Sequence, residues 1–141
     1  MFISRASRRD HGDIAEFYSE HEWGDHIDLS EGVCFIARQG PILGTVRLVE
    51  VEPQTVVVDD VVVHKEHRGK GIGRQLMQAA MNSRGGTLYL CCHDDVIPFY
   101  AKVGFAAMDF DALPAPVQGF FKSNGEYPTE PGHVHYFLRA R

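Results

Sequence analysis

Residues 56–81, VVVDDVVVHKEHRGKGIGRQLMQAAM, constrain the fold of this chain more than any other stretch. The opening run is β-branched almost throughout, which suits a strand buried on both faces. Two carboxylates, Asp59 and Asp60, interrupt it. A turn follows, His67-Arg68-Gly69-Lys70-Gly71-Ile72-Gly73, and then a helix. Ile72, Leu76, Ala79 and Ala80 fall on one stripe of that helix, with Arg74, Gln75 and Gln78 off it. A glycine-rich turn that opens a helix makes an anion site. Glycine admits φ > 0 and lets a ligand approach the backbone. The first helical N–H groups lack intrahelical partners, and the helix dipole adds partial positive charge. Phosphate is the natural guest. Arg68, Lys70 and Arg74 place full charges around the same turn.

Two common phosphate motifs do not fit. A dinucleotide-binding G-x-G-x-x-G would need glycine where Arg74 stands. A P-loop would need Ser or Thr directly after Lys70, where Gly71 stands, with Ile72 next. The pattern present is R-x-x-G-x-G, read as Arg68-Gly69-Lys70-Gly71-Ile72-Gly73. Preceded by a V-x-V strand, it resembles the coenzyme A pyrophosphate loop of the GNAT acetyltransferase superfamily. A second stretch, Pro98-Phe99-Tyr100-Ala101-Lys102-Val103-Gly104-Phe105, resembles the F-Y-x-x-x-G-F signature of the same superfamily, with complete spacing.

The rest of the chain reads as follows. Phe2 to Ala6 is a first strand. Ser7 or Asp10 caps a helix whose inner face is Ile14, Phe17 and Tyr18. Glu20 to Ser30 is a loop or a short second helix. Val33 to Arg38 and Ile42 to Val51 are strands joined by Gln39-Gly40-Pro41. The central strand and its helix follow, the helix ending near residues 82–86. Thr87 to Cys92 is a strand. Asp94 or Asp95 caps the next helix, which tolerates Pro98 only in its first turn. Gly104 stops that helix, Phe105 to Phe110 returns as a strand, and Val134 to Leu138 is the last. Asp111 to Gly132, with four prolines and three glycines, reads as irregular, and a loop of that length is usually functional or mobile. The expected fold class is mixed α/β (α+β), a central, mostly antiparallel twisted sheet with helices on both faces. The GNAT fold has the same element order, so the resemblance covers nearly the whole chain.

Composition bounds the function. The 141 residues suit a single domain, 1–141, large enough for a core without disulfides. A net charge of −5 argues against a nucleic-acid partner. No apolar run approaches the roughly 20 residues that would span a membrane. The N-terminal MFISRASRRD does not read as a secretory signal, and Cys34, Cys91 and Cys92 have no metal, redox or disulfide spacing. These features lead to an expected cytoplasmic setting, with the chain a monomer or homodimer. His64, His67, His93, His133 and His135 read as ordinary histidines and no metal is expected; His93 remains a minor candidate for a base or an acceptor contact. Between Asp10 and Ala37 there are eight acidic residues and no Lys or Arg. That is either a solvated surface or a negative mouth that attracts a cationic substrate.

The resemblance implies a reaction: transfer of acetyl from acetyl-CoA to an amine. It implies that the backbone of Val61, Val62 and Val63 pairs with the pantetheine arm. It implies that Arg68, Gly69, Lys70, Gly71, Ile72, Gly73 and Arg74 hold the pyrophosphate, and that Tyr100 protonates the departing sulfur. A phenol of pKa ~10 and a thiol of pKa ~8.5 are close enough for that transfer. Asp59-Asp60-Val61-Val62-Val63 resembles the E-D-x-x-V segment of polyamine and glucosamine-phosphate acetyltransferases of the superfamily, where the acidic pair sits by the acceptor amine. Strand alternation sends Asp59 and Asp60 to opposite faces unless a bulge re-aims them. Asp59, sharing parity with Val61 and Val63, is the preferred base. The leading expectation is therefore an N-acetyltransferase for a small, cationic amine. Its alternatives are a protein lysine or N-terminal acetyltransferase and a non-catalytic acyl-CoA-binding module.

Overall fold

A computed structural model describes residues 1–21 and 30–141. Most of the expected Glu20–Ser30 element, with Glu22, Asp25 and Asp28 of the acidic run, lies outside the described residues. The strands are β1 (Phe2–Arg5), β2 (Val33–Arg38), β3 (Ile42–Glu52), β4 (Thr55–Val63), β5 (Thr87–Cys92), β6 (Ala106–Met108) and β7 (Tyr136–Ala140). The helices are α1 (His11–Glu20), α2 (Ile72–Asn82), α3 (Ile97–Ala101) and α4 (Ala115–Ser123). The strands form one mixed sheet in the order β1-β2-β3-β4-β5-β7-β6. The pairings β1–β2, β2–β3, β5–β7 and β6–β7 are antiparallel, and β4–β5 is parallel. None of the described helices is long and apolar enough to cross a membrane.

The chain divides into two compact units. One comprises Met1–Val49 and Asp59–Arg84, the other Glu50–Val58 and Gly85–Arg141, so β3 and β4 each contribute to both.

In the first unit, α1 buries Ile14, Phe17 and Tyr18 against Ile36, Ile42 and Val62. Before it, Asp10 accepts a hydrogen bond from the Ser7 backbone N–H at 2.8 Å, which holds the Asp10 carboxyl below its usual range. Here Ser7 caps a 3-10 turn, Arg8–Asp10, that leads into α1. On β3, Thr45 donates to the Tyr18 hydroxyl at 3.0 Å, which places α1 on the Thr45 face. Gly44 faces the other way. A Cβ there would lie 2.7 Å from Leu76 Cδ1 and 3.3 Å from Ile72 Cγ2, so glycine is what lets α2 press onto β3. Sheet alternation thus puts α1 and α2 on opposite faces of this unit.

In the second unit, β4 and β5 pair through Thr55–Val57 and Thr87–Tyr89. The core gathers Val57, Tyr89, Phe110, Leu113, Val117, Phe121 and Phe137. Three of these belong to the segment 111–132 that the sequence marks as irregular. That expectation is corrected: a 3-10 turn at Phe110–Ala112 leads into α4. Pro114 and Pro116 sit at or before the first turn, where the missing N–H costs nothing. Val117 and Phe121, four residues apart, make the buried face. Three smaller differences share a cause, the limits of local signals at element ends. A 3-10 turn at Asp94–Val96 intervenes before α3, so Val96 rather than Asp94 or Asp95 stands at its N-cap. The strand after Gly104 is limited to Ala106–Met108, and the last strand begins at Tyr136 rather than Val134.

Candidate active site

The chain leaves β4 at Val63 and turns at once. The His64 N–H donates to the Leu43 carbonyl at 2.7 Å, and the His67 N–H to the His64 carbonyl at 2.8 Å. The Arg68 guanidinium donates back to the Val63 carbonyl at 3.2 Å, bracing the loop on the strand. Gly69 and Gly71 have φ of 79° and 81°, in the left-handed region that other residues enter at a cost. Gly71 is the N-cap of α2 and offers no side chain to the first turn. Among the described residues, a Cβ on Gly69 would meet nothing within 4 Å, and one on Gly71 only Gln75 Nε2 at 4.0 Å. The glycines serve the backbone path and leave its N–H groups approachable. Arg68, Lys70 and Arg74 are exposed around them, whereas Ile72 and Gly73 are buried and root the helix. The surroundings of a phosphate are therefore present: open backbone donors, a helix start and three cations. Beside the loop lies a cleft of about 500 Å³ lined by Leu43, His67, Lys70, Ile72 and Gln75, together with Met1, Gln39 and Pro41.

The acidic pair does not follow simple alternation. Asp60 has φ of 53°, a left-handed conformation inside a strand, and this turns the chain so that both carboxylates reach one guanidinium. Arg47 donates from Nε to Asp60 at 2.7 Å and from Nη2 to Asp59 at 3.0 Å, and its Nη1 donates to the Glu31 carbonyl at 2.9 Å. The expectation that the pair points to opposite faces is corrected by that one dihedral. Arg47 is buried, with 8% of its side chain exposed, against 10% for Asp60 and 25% for Asp59. Burial raises the Asp59 carboxyl above its usual range, the Asp60 charge adds to the rise, and Arg47 opposes it. Asp59 thus combines the greater exposure with a weakened hold on its charge. Arg47 was not singled out from the sequence, although a signal existed. It is the one charge in the apolar run Ile42–Val49, and a buried charge requires a partner.

Val62 is buried in the α1 core, and Val61 and Val63 are half-buried on either side of it. In the second unit, Tyr100 is buried in α3, edge-on to Phe99 and Phe105 with ring centroids 5.0 and 5.9 Å away. Its carbonyl accepts from the Val103 and Phe105 N–H groups, which fold the G-F end of the signature back onto the helix. Part of the acidic run is already matched: Arg38 bridges Asp10 at 3.1 Å and Asp13 at 2.8 Å.

Comparisons with known proteins bear on the family and the fold. The family model described as Acetyltransferase (GNAT) domain matches residues 30–107. The chain is 36% identical to N-alpha-acetyltransferase 80 of Mus musculus over 94 residues, 62% of this chain and 28% of that protein. It is 33% identical to a UPF0039 protein of Schizosaccharomyces pombe over 88 residues, 57% of this chain and 59% of that one. It thus matches only part of the length of these curated relatives. Among solved structures, it is similar to an acyl-CoA N-acyltransferase from Pseudomonas aeruginosa, with a TM-score of 0.70, 18% identity and 99% of each chain covered. It also matches N-acetylglutamate synthase from Neisseria gonorrhoeae, solved with coenzyme A and N-acetyl-glutamate. There the TM-score is 0.71 and the identity 18%, over 100% of this chain and 35% of that one. On the family match and the fold together, the chain belongs to the GNAT acetyltransferase domain family.

Proposed function

We propose that the protein transfers acetyl from acetyl-CoA directly to the primary amine of a small, cationic acceptor. The observation that carries the reading is the loop 68–74: two glycines at positive φ, open space above them, a helix start and three exposed cations. In this reading the N–H groups of Gly69 to Arg74 hold the pyrophosphate, and the backbone of Val61, Val62 and Val63 takes the pantetheine arm as an added strand. The amine nitrogen attacks the thioester carbonyl carbon; a C–N bond forms and the C–S bond breaks. Asp59, directly or through water, accepts the amine proton, and Tyr100 gives its hydroxyl proton to the departing sulfur. The products are an amide and the free thiol, and the two side chains return to their starting protonation by exchange with water.

An alternative acceptor is the α-amine of a polypeptide, favoured by the 36% identity to a protein named as an N-alpha-acetyltransferase. One experiment tests the shared core of both readings. Calorimetry of the full chain with coenzyme A should show saturable binding. Gly71→Glu should abolish it, because φ of 81° strains any side chain and a carboxylate there repels phosphate. Undetectable binding of any acyl-CoA to the folded chain would overturn the proposal.

A further inference from the structure

The second unit holds a group of metal-ligating side chains that acyl transfer does not use. Cys91 lies in β5, Glu126 follows α4, and His135 precedes β7. The sulfur, a carboxylate oxygen and a ring nitrogen all lie within 4.8 Å of one another, and all three residues are half-buried. The Cys91 thiol donates a hydrogen bond to the Glu126 carboxylate. The β5–β7 ladder explains how His135 arrives there. Cys91 is paired with Phe137 and Cys92 with Tyr136, so the next step of that register sets His93 opposite His135. Residues 135 and 137 share a face, as do 91 and 93, which puts His135 diagonal to Cys91. The rings of His93 and His135 indeed lie 4.8 Å apart.

We infer that Cys91, Glu126 and His135 form a binding site for a divalent transition metal of the zinc class. Thiolate, imidazole and carboxylate together form a zinc donor set, whereas magnesium and calcium call for oxygen ligands alone. A tetrahedral zinc with bonds of about 2.0–2.3 Å holds its ligand atoms about 3.5 Å apart. The widest gap, at most 4.8 Å, needs to close by roughly 1 Å, and the Cys91–Glu126 contact to open as the carboxylate turns off the thiol. Metal then takes the place of the thiol proton, which is released to solvent. Three protein ligands leave a fourth position for water, with the His93 ring alongside. The ligands come from three separated segments, which is why residue spacing in the sequence shows no such site. A bound ion would tie the connection between α4 and β7 to the end of β5.

The test uses the full chain, stripped with a chelator and titrated with cobalt(II). One equivalent should bind with a Kd below about 1 µM. It should give a thiolate-to-cobalt charge-transfer band and tetrahedral d–d absorption, both erased by zinc. Cys91→Ser should abolish the charge-transfer band. His135→Asn and Glu126→Gln should each weaken binding by more than the ~10–100-fold typical of outer-shell partners. If Cys91→Ser fails to fold by circular dichroism, the half-exposed His135→Asn decides. No cobalt band from the folded wild type, or a band indifferent to His135→Asn, overturns the assignment.

Discussion

Arg47 sets the character of the candidate acceptor side. A guanidinium with 8% exposure holds two carboxylates and a backbone carbonyl, so its charge is fully matched. Two aspartates share that guanidinium, and Asp59 is the more exposed of the pair. Its raised carboxyl has a kinetic meaning. A general base works best when its pKa lies near the operating pH. The form that accepts a proton is the carboxylate, so an upward shift moves the acidic limb of kcat to higher pH than an ordinary Asp would give. Asp59→Asn, nearly isosteric, should lower kcat and move the optimum to higher pH, where more free amine exists unaided; a pH–rate profile checks both. If only Asp60→Asn moves the profile, the base has been misassigned. Tyr100→Phe keeps the ring contacts with Phe99 and Phe105 and removes only the hydroxyl. Thiol release should then fall by roughly 10²-fold or more in kcat, with coenzyme affinity little changed in calorimetry. At this scale the sequence was legible where backbone conformation follows from residue type, as at Gly69 and Gly71, both of which take positive φ. It was illegible where chemistry follows from one dihedral: nothing in DDVVV announces φ of 53° at Asp60, and without it the two side chains diverge.

Among the elements, β2 and β5 match their sequence-based bounds, Val33–Arg38 and Thr87–Cys92, because turn-forming residues bound each apolar run: Gly32 and Gly40-Pro41 around β2, Gly85-Gly86 and Asp94-Asp95 around β5. The start of α2 was equally plain, since Gly71 stands at its N-cap. The helix α4 was hidden by a count of breakers that ignored their position. Pro114 and Pro116 fall where a helix accepts proline, and Gly119 sits in mid-helix on the exposed side. A Cβ at Gly119 would meet nothing within 4 Å among the described residues. Gly119→Ala should therefore stabilise the protein by about 0.5–1 kcal/mol, read as a rise in the thermal or denaturant midpoint with no loss of coenzyme binding. A destabilised variant would mean that the helix is not formed as described. Val117 and Phe121 fix its seat, and truncating the fully buried Phe121 to alanine belongs to the class of core changes that costs about 3–5 kcal/mol.

For the whole molecule, the proposed preference for a cationic acceptor rests on net charge and its distribution. The chain has a formal charge of −5, and Arg38 neutralises only part of the acidic run through Asp10 and Asp13. Polyamine-like or aminoglycoside-like acceptors should exceed neutral and acidic amines in kcat/KM. The advantage should shrink as salt rises, because exposed charges are screened over about 8 Å at physiological ionic strength. An acidic amine as the best acceptor, or a salt-independent ranking, would remove charge steering from the account. The mixed sheet was expected from the order of elements along the chain, whereas the spatial order β1-β2-β3-β4-β5-β7-β6 and the division into two units were not, because both depend on contacts between residues far apart in sequence. That division has a consequence for how the protein is made. Each unit is interrupted in sequence: residues 50–58 serve the unit completed at the C-terminus, and residues 59–84 complete the one begun at the N-terminus. No single cut in the chain separates the two units: a fragment ending at Arg84 holds the first unit whole but carries residues 50–58 of the second with it. A ribosome that has synthesised the first half of the chain has finished neither unit, and a fragment or transplant that carries residues 68–74 with the whole first unit also carries residues 50–58, cut off from the rest of their own unit.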